Sequence, residues 1–276
     1  MAPPACVLRV SCHGVPHVID LWLFATDLPM ARRCVAAGVQ GLVVDWEWRG
    51  KENRQQGADT EINHDTPADL ARISALAGAK RICRLNPPGP WTQEEVECAL
   101  ACGATHLMLP MVRSVADAQR FLKYAQGLAR CGILVETVEA CQAAERLARL
   151  PLDFVYLGLN DLAISRGERN IFAPFADGLA AHLRRVFQRM AFGVGGLTVV
   201  DGGAPIPCLR LMRELAGLQC DFTFLRRSFR RDIVRRDVGW EVQQIQHCWR
   251  RFAARGPRYA QHDHEQFIGL VERLAA

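Results

Sequence analysis

The feature that most constrains what this chain can fold into is an alternation: short apolar runs, each followed by an amphipathic stretch with helical spacing, repeat along most of its length. The runs fall at 21–25, 41–45, 81–85, 106–109, 133–136, 154–157, 192–197 and 222–225. Helices are predicted between them at 29–37, 67–76, 93–102, 115–130, 139–148, 177–190 and 207–216, and 238–254 follows the last run as a longer helix. Strands and helices alternating in this way predict an α/β protein, a closed (β/α)8 TIM barrel rather than an open doubly wound sheet. No Gly/Ser linker or low-complexity block interrupts residues 1–276. The reading is therefore a single domain, with a barrel core at about 20–230 and a C-terminal helical extension at about 231–276. A chain of 276 residues, half of them hydrophobic, is long enough to bury one core of that size.

Barrels of this kind carry their chemistry at the C-terminal ends of the strands, and polar residues recur there. In the stretch VVDWEWRGKENR (43–54), Asp45 and Glu47 close the second strand. Arg84 and Asn86 end the third, Glu136 ends the fifth, Asn160 and Asp161 follow the sixth, and Arg226 and Arg227 follow the eighth. Adjacent strands lie about 4.8 Å apart, so Glu136 and Asp161 can converge on one cation. Two carboxylate ligands with further positions open suit Mg²⁺ or Mn²⁺. Taken singly, Asp161 could equally cap the helical turn that follows it. The planar fork of Arg84 suits a carboxylate or an enolate oxygen. A salt bridge to one of the neighbouring acids would satisfy it as well.

Composition excludes several classes. The net charge of +5 comes largely from arginines in the last quarter, but no nucleic-acid motif accompanies them. They read as a solvated helix face plus a site for an anionic ligand, with no nucleic-acid partner. No stretch approaches the roughly 20 apolar residues that span a bilayer, so no membrane partner is expected. The N-terminus lacks the pattern of an export signal. Eleven scattered cysteines without a CxxC pair fit reduced thiols and a cytoplasmic protein. Cys98, Cys102 and His106 are spaced like metal ligands, but a buried helix face accounts for the cysteines better. His64 and Thr66 read as helix caps. The run GVGG (193–196) is compatible with a phosphate cradle, close packing or a turn, and the basic loop 49–54 with either an anion-recruiting or a solvated segment.

In order and spacing, several motifs resemble the HpcH/HpaI aldolase and citrate lyase β-subunit family of the phosphoenolpyruvate/pyruvate barrel superfamily. They are Val-Asp-x-Glu (44–47), Arg-Leu-Asn (84–86), Gly-Ala-Thr-His-Leu-Met-Leu-Pro-Met-Val (103–112), Val-Glu-Thr (135–137) and Gly-Leu-Asn-Asp-Leu (158–162). The resemblance covers roughly residues 20–230. It implies a divalent-metal-dependent carbon–carbon lyase or aldolase working through the enolate of a small-molecule 2-oxo acid such as pyruvate or oxaloacetate. Glu136 and Asp161 would hold Mg²⁺ or Mn²⁺, and Arg84 would bind the 2-oxo acid. Glu47 would act on a water of the ion or support the site beside Asp45, and the backbone N–H groups of Asn160 and Asp161 would meet the substrate carboxylate. The ion and Arg84 together would stabilise charge developing on the ketone oxygen.

The chain departs from that pattern at Trp48, where pyruvate aldolases carry a histidine base and the acyl-CoA lyase branch an aspartate, and at Leu134, which is often polar in aldolases. The implied alternatives are a citrate-lyase-like enzyme acting on a CoA- or carrier-bound acid, a biosynthetic relative with altered chemistry, or a barrel that binds a 2-oxo acid without turning it over. With Trp48 at the site, Arg226 and Arg227 would line its mouth. Trp240, Cys248, Trp249 and Phe252 form an apolar stripe on helix 238–254, and in related barrels such a helix packs on a neighbouring subunit, which implies a homo-oligomer.

Overall fold

A computed structural model describes residues 18–51 and 63–275. Eight parallel strands close into one barrel in sequence order: β1 (Asp20–Phe24), β2 (Gly41–Asp45), β3 (Lys80–Arg84), β4 (His106–Leu109), β5 (Arg130–Val135), β6 (Phe154–Leu157), β7 (Ala191–Leu197) and β8 (Phe222–Leu225). The outer layer contains α1 (Leu28–Ala36), α2 (Pro67–Ser74), α3 (Thr92–Ala101), α4 (Val115–Ala125), α5 (Val138–Gln142), α6 (Ala144–Leu147) and α7 (Leu159–Arg166). It continues with α8 (Ala173–Ala176), α9 (Leu179–Val186), α10 (Cys208–Gly217), α11 (Arg227–Asp232), α12 (Val238–Ala253) and α13 (Pro257–Ala275). The TIM barrel is the predicted one. No described helix is long and apolar enough to cross a membrane.

Strand periodicity sorts every strand residue to one of two cores. Side chains alternate across a strand, so Leu42, Val44 and Trp46 face the helices, in the larger apolar cluster. Val43, with Trp22, Ile82, Met108, Leu134, Phe154, Tyr156, Phe222 and Phe224, fills the barrel interior. Trp22 stacks on Phe222 with ring centroids 4.0 Å apart, and Tyr156 lies 4.1 Å from Phe224. The interior is thus a solid aromatic plug, and one further step of two residues along each strand reaches the rim. The next inward positions are Asp45, Arg84, Glu136, Gly158 and Arg226. The site is the top layer of the barrel's own packing pattern.

Several predicted boundaries shift. The helix predicted at 115–130 ends at Ala125, because Gln126 (φ 50°) and Gly127 (φ 74°) are left-handed and turn the chain, freeing Arg130 to begin β5. The segment 139–148 is two short helices, and 177–190 is α9 alone, preceded by α8. Helices α7, α8 and α11 were not predicted, and α13 falls within the expected helical extension at 231–276 without bounds of its own.

Helix 238–254 is not the last element, and its apolar stripe divides. Trp249 is fully buried within this chain, where α12 packs on α1 and α10, whereas Trp240 is exposed. Helix α13 then packs on α10 and α8 through Phe267 and Val271. Much of the stripe read as an intersubunit face is therefore covered by the chain itself.

Candidate active site

The site begins with β2. Asp45 and Glu47 are both fully buried at the end of an apolar strand, a placement carboxylates tolerate only when paired. Arg84, the neighbouring inward residue on β3, closes a side-on fork on Asp45, with Nε to Oδ1 and Nη2 to Oδ2 both 2.7 Å. Its Nη1 lies 3.2 Å from Glu47 Oε2. Asn63 Nδ2 donates to Asp45 Oδ2 at 2.9 Å, and the Asp45 N–H donates to Asp65 Oδ2 at 2.8 Å. Burial alone would raise the Asp45 carboxyl, but Arg84, Lys51 and Asn63 together hold it below the usual aspartate range. Burial likewise opposes the charge on Arg84, and Asp45 and Glu47 overcome it. Of the two readings open for Arg84 in the sequence, the ion pair is formed here.

Glu136 stands just beyond β5 and is buried. Its Oε1 accepts the backbone N–H of Met111 at 2.8 Å. Met111 adopts φ 53°, a left-handed conformation uncommon for such a side chain, and this aims its amide at the carboxylate. Thr137, the next residue, caps α5 and donates to the Val112 carbonyl at 2.7 Å, pinning the strand end from the other side. Asp161 lies in the first turn of α7, buried, while the cap position belongs to Gly158. The capping alternative for Asp161 is therefore not what the fold uses. Asn160 shares that turn, whose N–H groups precede the first intrahelical bond, Leu162 N–H to the Gly158 carbonyl at 3.1 Å.

Gly158 leaves room for Glu136, since a Cβ there would sit 2.8 Å from the Glu136 Cβ and against its carboxylate. Gly158→Ala is therefore expected to displace that carboxylate and to cost about 1–3 kcal/mol of stability by overpacking. Urea denaturation and calorimetric Mg²⁺ titration would measure the two effects, and a variant matching wild type in both would show that the site can relax around a methyl group.

Ligand oxygens of Glu47, Glu136 and Asp161 all lie within 4.8 Å of one another, and among the described residues this is the only such group of three. Burial, then Asp161 and Glu47, push the Glu136 carboxyl well above its usual value. Among the described residues, Asp45 and Glu47 pair with Arg84 and Lys51, while Glu136 accepts a backbone amide and is crowded by Asp161 and Glu47. Three buried carboxylates with ligand oxygens this close fit a hard divalent cation. The three acids would hold it, Glu47 among them rather than only behind them.

An open cleft of about 1550 Å³ spreads over this cluster. Arg84, Glu136, Asn160 and Asp161 line it, with Leu134 and Tyr156 in its floor and Arg226 and Arg227 at its mouth. Gly196 makes space for Arg226, whose Cγ would lie 2.6 Å from a Cβ there, and Gly193 does the same for the Phe222 ring at 2.7 Å. Close packing thus accounts for two glycines of the GVGG run.

Two expectations need correction. Trp48 is not in the cleft: it shares the outward parity of Trp46, is 44% exposed, and stacks on the Arg49 guanidinium 4.5 Å from its ring. Trp91 sandwiches Arg49 from the other side at 4.6 Å. Nor does Asn86 face a ligand. Its Oδ1 accepts the Trp48 and Arg49 N–H groups at 3.1 and 2.8 Å, and its Nδ2 donates to Glu95 Oε1 at 2.7 Å. Thr66 caps α2, whereas His64 is exposed and His106 is half-buried, its imidazole lowered to about 4 chiefly by desolvation. Of the basic loop, residues 52–54 lie outside the described residues.

Sequence reasoning missed Asn63, Asp65 and Tyr156, and reached Lys51 only as part of the basic loop 49–54, open between an anion-recruiting and a solvated reading. Lys51 is 3% exposed and lines the cleft. The polar run Asn63-His-Asp-Thr66 carried a usable signal, because its position before a predicted helix sets it beside the ends of the strands.

The fold and site together define a (β/α)8 barrel with a buried acidic cluster at the C-terminal face of its strands. No protein-family model and no curated protein sequence matches the chain. Solved structures do. An HpcH/HpaI aldolase from Desulfitobacterium hafniense superposes with a TM-score of 0.57 at 14% identity, over 76% of this chain and 85% of that one. The citrate synthase SbnG gives 0.58 at 16%, over 83% and 94%. The CitE protein of Mycobacterium tuberculosis, in complex with magnesium and pyruvate, gives 0.56 at 18%, over 92% and 99%. At these identities the likeness is one of fold.

Proposed function

We propose that this chain is a divalent-metal-dependent carbon–carbon lyase of the HpcH/HpaI aldolase and citrate lyase type, acting on a 2-oxo acid through its enolate. The observation that carries the reading is the cluster of Glu47, Glu136 and Asp161, all buried, with ligand oxygens within 4.8 Å of one another. The CitE structure with magnesium and pyruvate shares its fold, which supports Mg²⁺ and a pyruvate-like ligand here. When bound, the ion supplies electrostatic stabilisation of negative charge on the substrate's ketone oxygen. The chain's own residues do the rest. Glu136, fixed by the Met111 amide, and Asp161, fixed by the first turn of α7, present their oxygens at one point. Asp45 locks Arg84 by its fork, so that a guanidinium edge stays at the cleft wall. The amides of Asn160 and Asp161, in the first turn of α7, would meet a substrate carboxylate. Leu134 and Tyr156 close the floor against water.

No histidine lines the cleft among the described residues. That observation favours enolate stabilisation without an efficient imidazole base, and it separates two steps experimentally. Oxaloacetate loses CO₂ without a base, so metal-dependent decarboxylation is expected. Exchange of the pyruvate methyl protons needs one, and should be slower by ~10²–10⁴-fold than in a site that has a base. Carbonyl absorbance and proton NMR in D₂O measure the two. Trp48→His should leave both unchanged, because that side chain stacks on Arg49 outside the cleft. Absence of decarboxylation at any Mg²⁺ or Mn²⁺ concentration, with the ion bound, would favour a barrel that binds a 2-oxo acid without turnover.

A further inference from the structure

Two cations stand at the cleft floor, and they are committed differently. Arg84 holds Asp45 through two 2.7 Å hydrogen bonds and touches Glu47 at 3.2 Å. Lys51 is as deeply placed, 3% exposed, but its Nζ lies 3.6 Å from Asp45 Oδ2 and 3.5 Å from Glu47 Oε2. Both distances exceed a normal N–H···O bond of about 2.7–3.2 Å. An ammonium carries three donors, and neither acid takes one at full strength. The backbone delivers the group there on purpose of geometry: the Lys51 N–H bonds the Trp48 carbonyl at 3.1 Å, and Gly50, at φ 69°, supplies the left-handed residue that turn requires. The turn is anchored by Asn86 and by the Arg49 sandwich, so Lys51 is held in the cleft rather than trailing from a loop.

A buried lysine facing a cleft is desolvated, and desolvation is costly unless an anion repays it. We propose that Lys51 is a substrate-binding residue: its ammonium donates to an oxygen of the anionic ligand seated at the Glu47, Glu136 and Asp161 cluster, alongside Arg84. Lys51 is within reach of Glu47, one wall of that cluster. It lines the same cleft as Glu136 and Asp161. Its function is that of a fixed positive charge with unsaturated donors. Because Arg84 is largely engaged by Asp45, discrimination between a dianionic and a monoanionic ligand would rest on Lys51 more than on the arginine.

The inference rests on the metal-dependent reading above, and calorimetry with oxalate, a planar dianion resembling an enolate, separates the two. Wild-type protein is titrated with Mg²⁺ alone, and then with oxalate at saturating Mg²⁺. Lys51→Met should weaken oxalate by roughly 10–100-fold, the range for hydrogen bonds to charged groups. It should leave Mg²⁺ affinity equal or tighter, since a nearby positive charge is gone. Oxalate affinity within about twofold of wild type, with Mg²⁺ still bound, would overturn the role of Lys51 and leave the metal reading standing. Wild-type protein that binds neither Mg²⁺ nor oxalate would overturn both. Should Lys51→Met not fold, Lys51→Gln keeps a polar side chain without the charge and leaves all three acids in place. The same loss of oxalate affinity at saturating Mg²⁺ is expected of it, and wild-type affinity would again overturn the role.

Discussion

Glu136→Gln should abolish most of the Mg²⁺ and Mn²⁺ affinity while making the metal-free protein more stable. The carboxylate is buried and pushed well above its usual value by desolvation and by Asp161 and Glu47. Losing a partner outside the ligand set of a metal site costs roughly 10–100-fold in affinity, so losing a ligand should cost about 10²-fold or more. Asp161→Asn should act in the same direction. The sign of the pH dependence follows from the raised carboxyl. Above the ordinary glutamate value of 4.5, the native metal-free protein holds a proton that the unfolded chain releases, so its stability falls as pH rises through that window. Mg²⁺ must displace the same proton, so its affinity should rise with pH in wild type and lose that dependence in Glu136→Gln. Calorimetry and thermal melts at several pH values measure both. Unchanged affinity in both Glu136→Gln and Asp161→Asn would remove the metal from the site.

Arg84→Ala should be the most destabilising single change in the cleft, by about 3–5 kcal/mol, because it takes the fork from buried Asp45 and a close contact from buried Glu47, leaving Lys51 as their basic partner among the described residues. Arg84→Lys should recover only part of that, since a point charge cannot close both 2.7 Å contacts of the fork. Asp45 is held below its usual 3.8, so the stability it contributes is present above that pH and lost as pH falls through its native value. The gap between wild type and Arg84→Ala should therefore narrow in acid. Urea denaturation at pH 7 and below measures it, and an Arg84→Lys protein as stable as wild type would mean that the fork contributes no more than a charge.

What the sequence made legible, it did through strand parity. Asp45, Arg84 and Glu136 each continue the inward series of a strand by two residues, so polar residues ending apolar runs could be recognised without any structure. Trp48 was misplaced for the same reason in reverse, because it follows Trp46 outward. Lys51 was legible only as one residue of a basic loop open to two readings, because its burial depends on a turn at Gly50 that composition does not show. Helix α7 was missed because its first turn is built from site residues, chosen for chemistry rather than for amphipathic spacing. Helix α13 fell within the expected helical extension at 231–276 but had no bounds of its own, because its partner surface on α10 and α8 comes from far earlier in the chain.

The stacking of Arg49 between Trp48 and Trp91 has a consequence for how such a site can change over time. The charge at the cleft floor is aimed by a turn clamped from outside, by an indole that follows β3 and by Asn86 and Glu95, none of which lines the cleft. Drift in the loop between β3 and α3 can therefore retune what the barrel recognises while every acid and the arginine stay in place. Relatives that keep those acids but differ at the clamp could accept different ligands, with the catalytic layer giving no sign of the change.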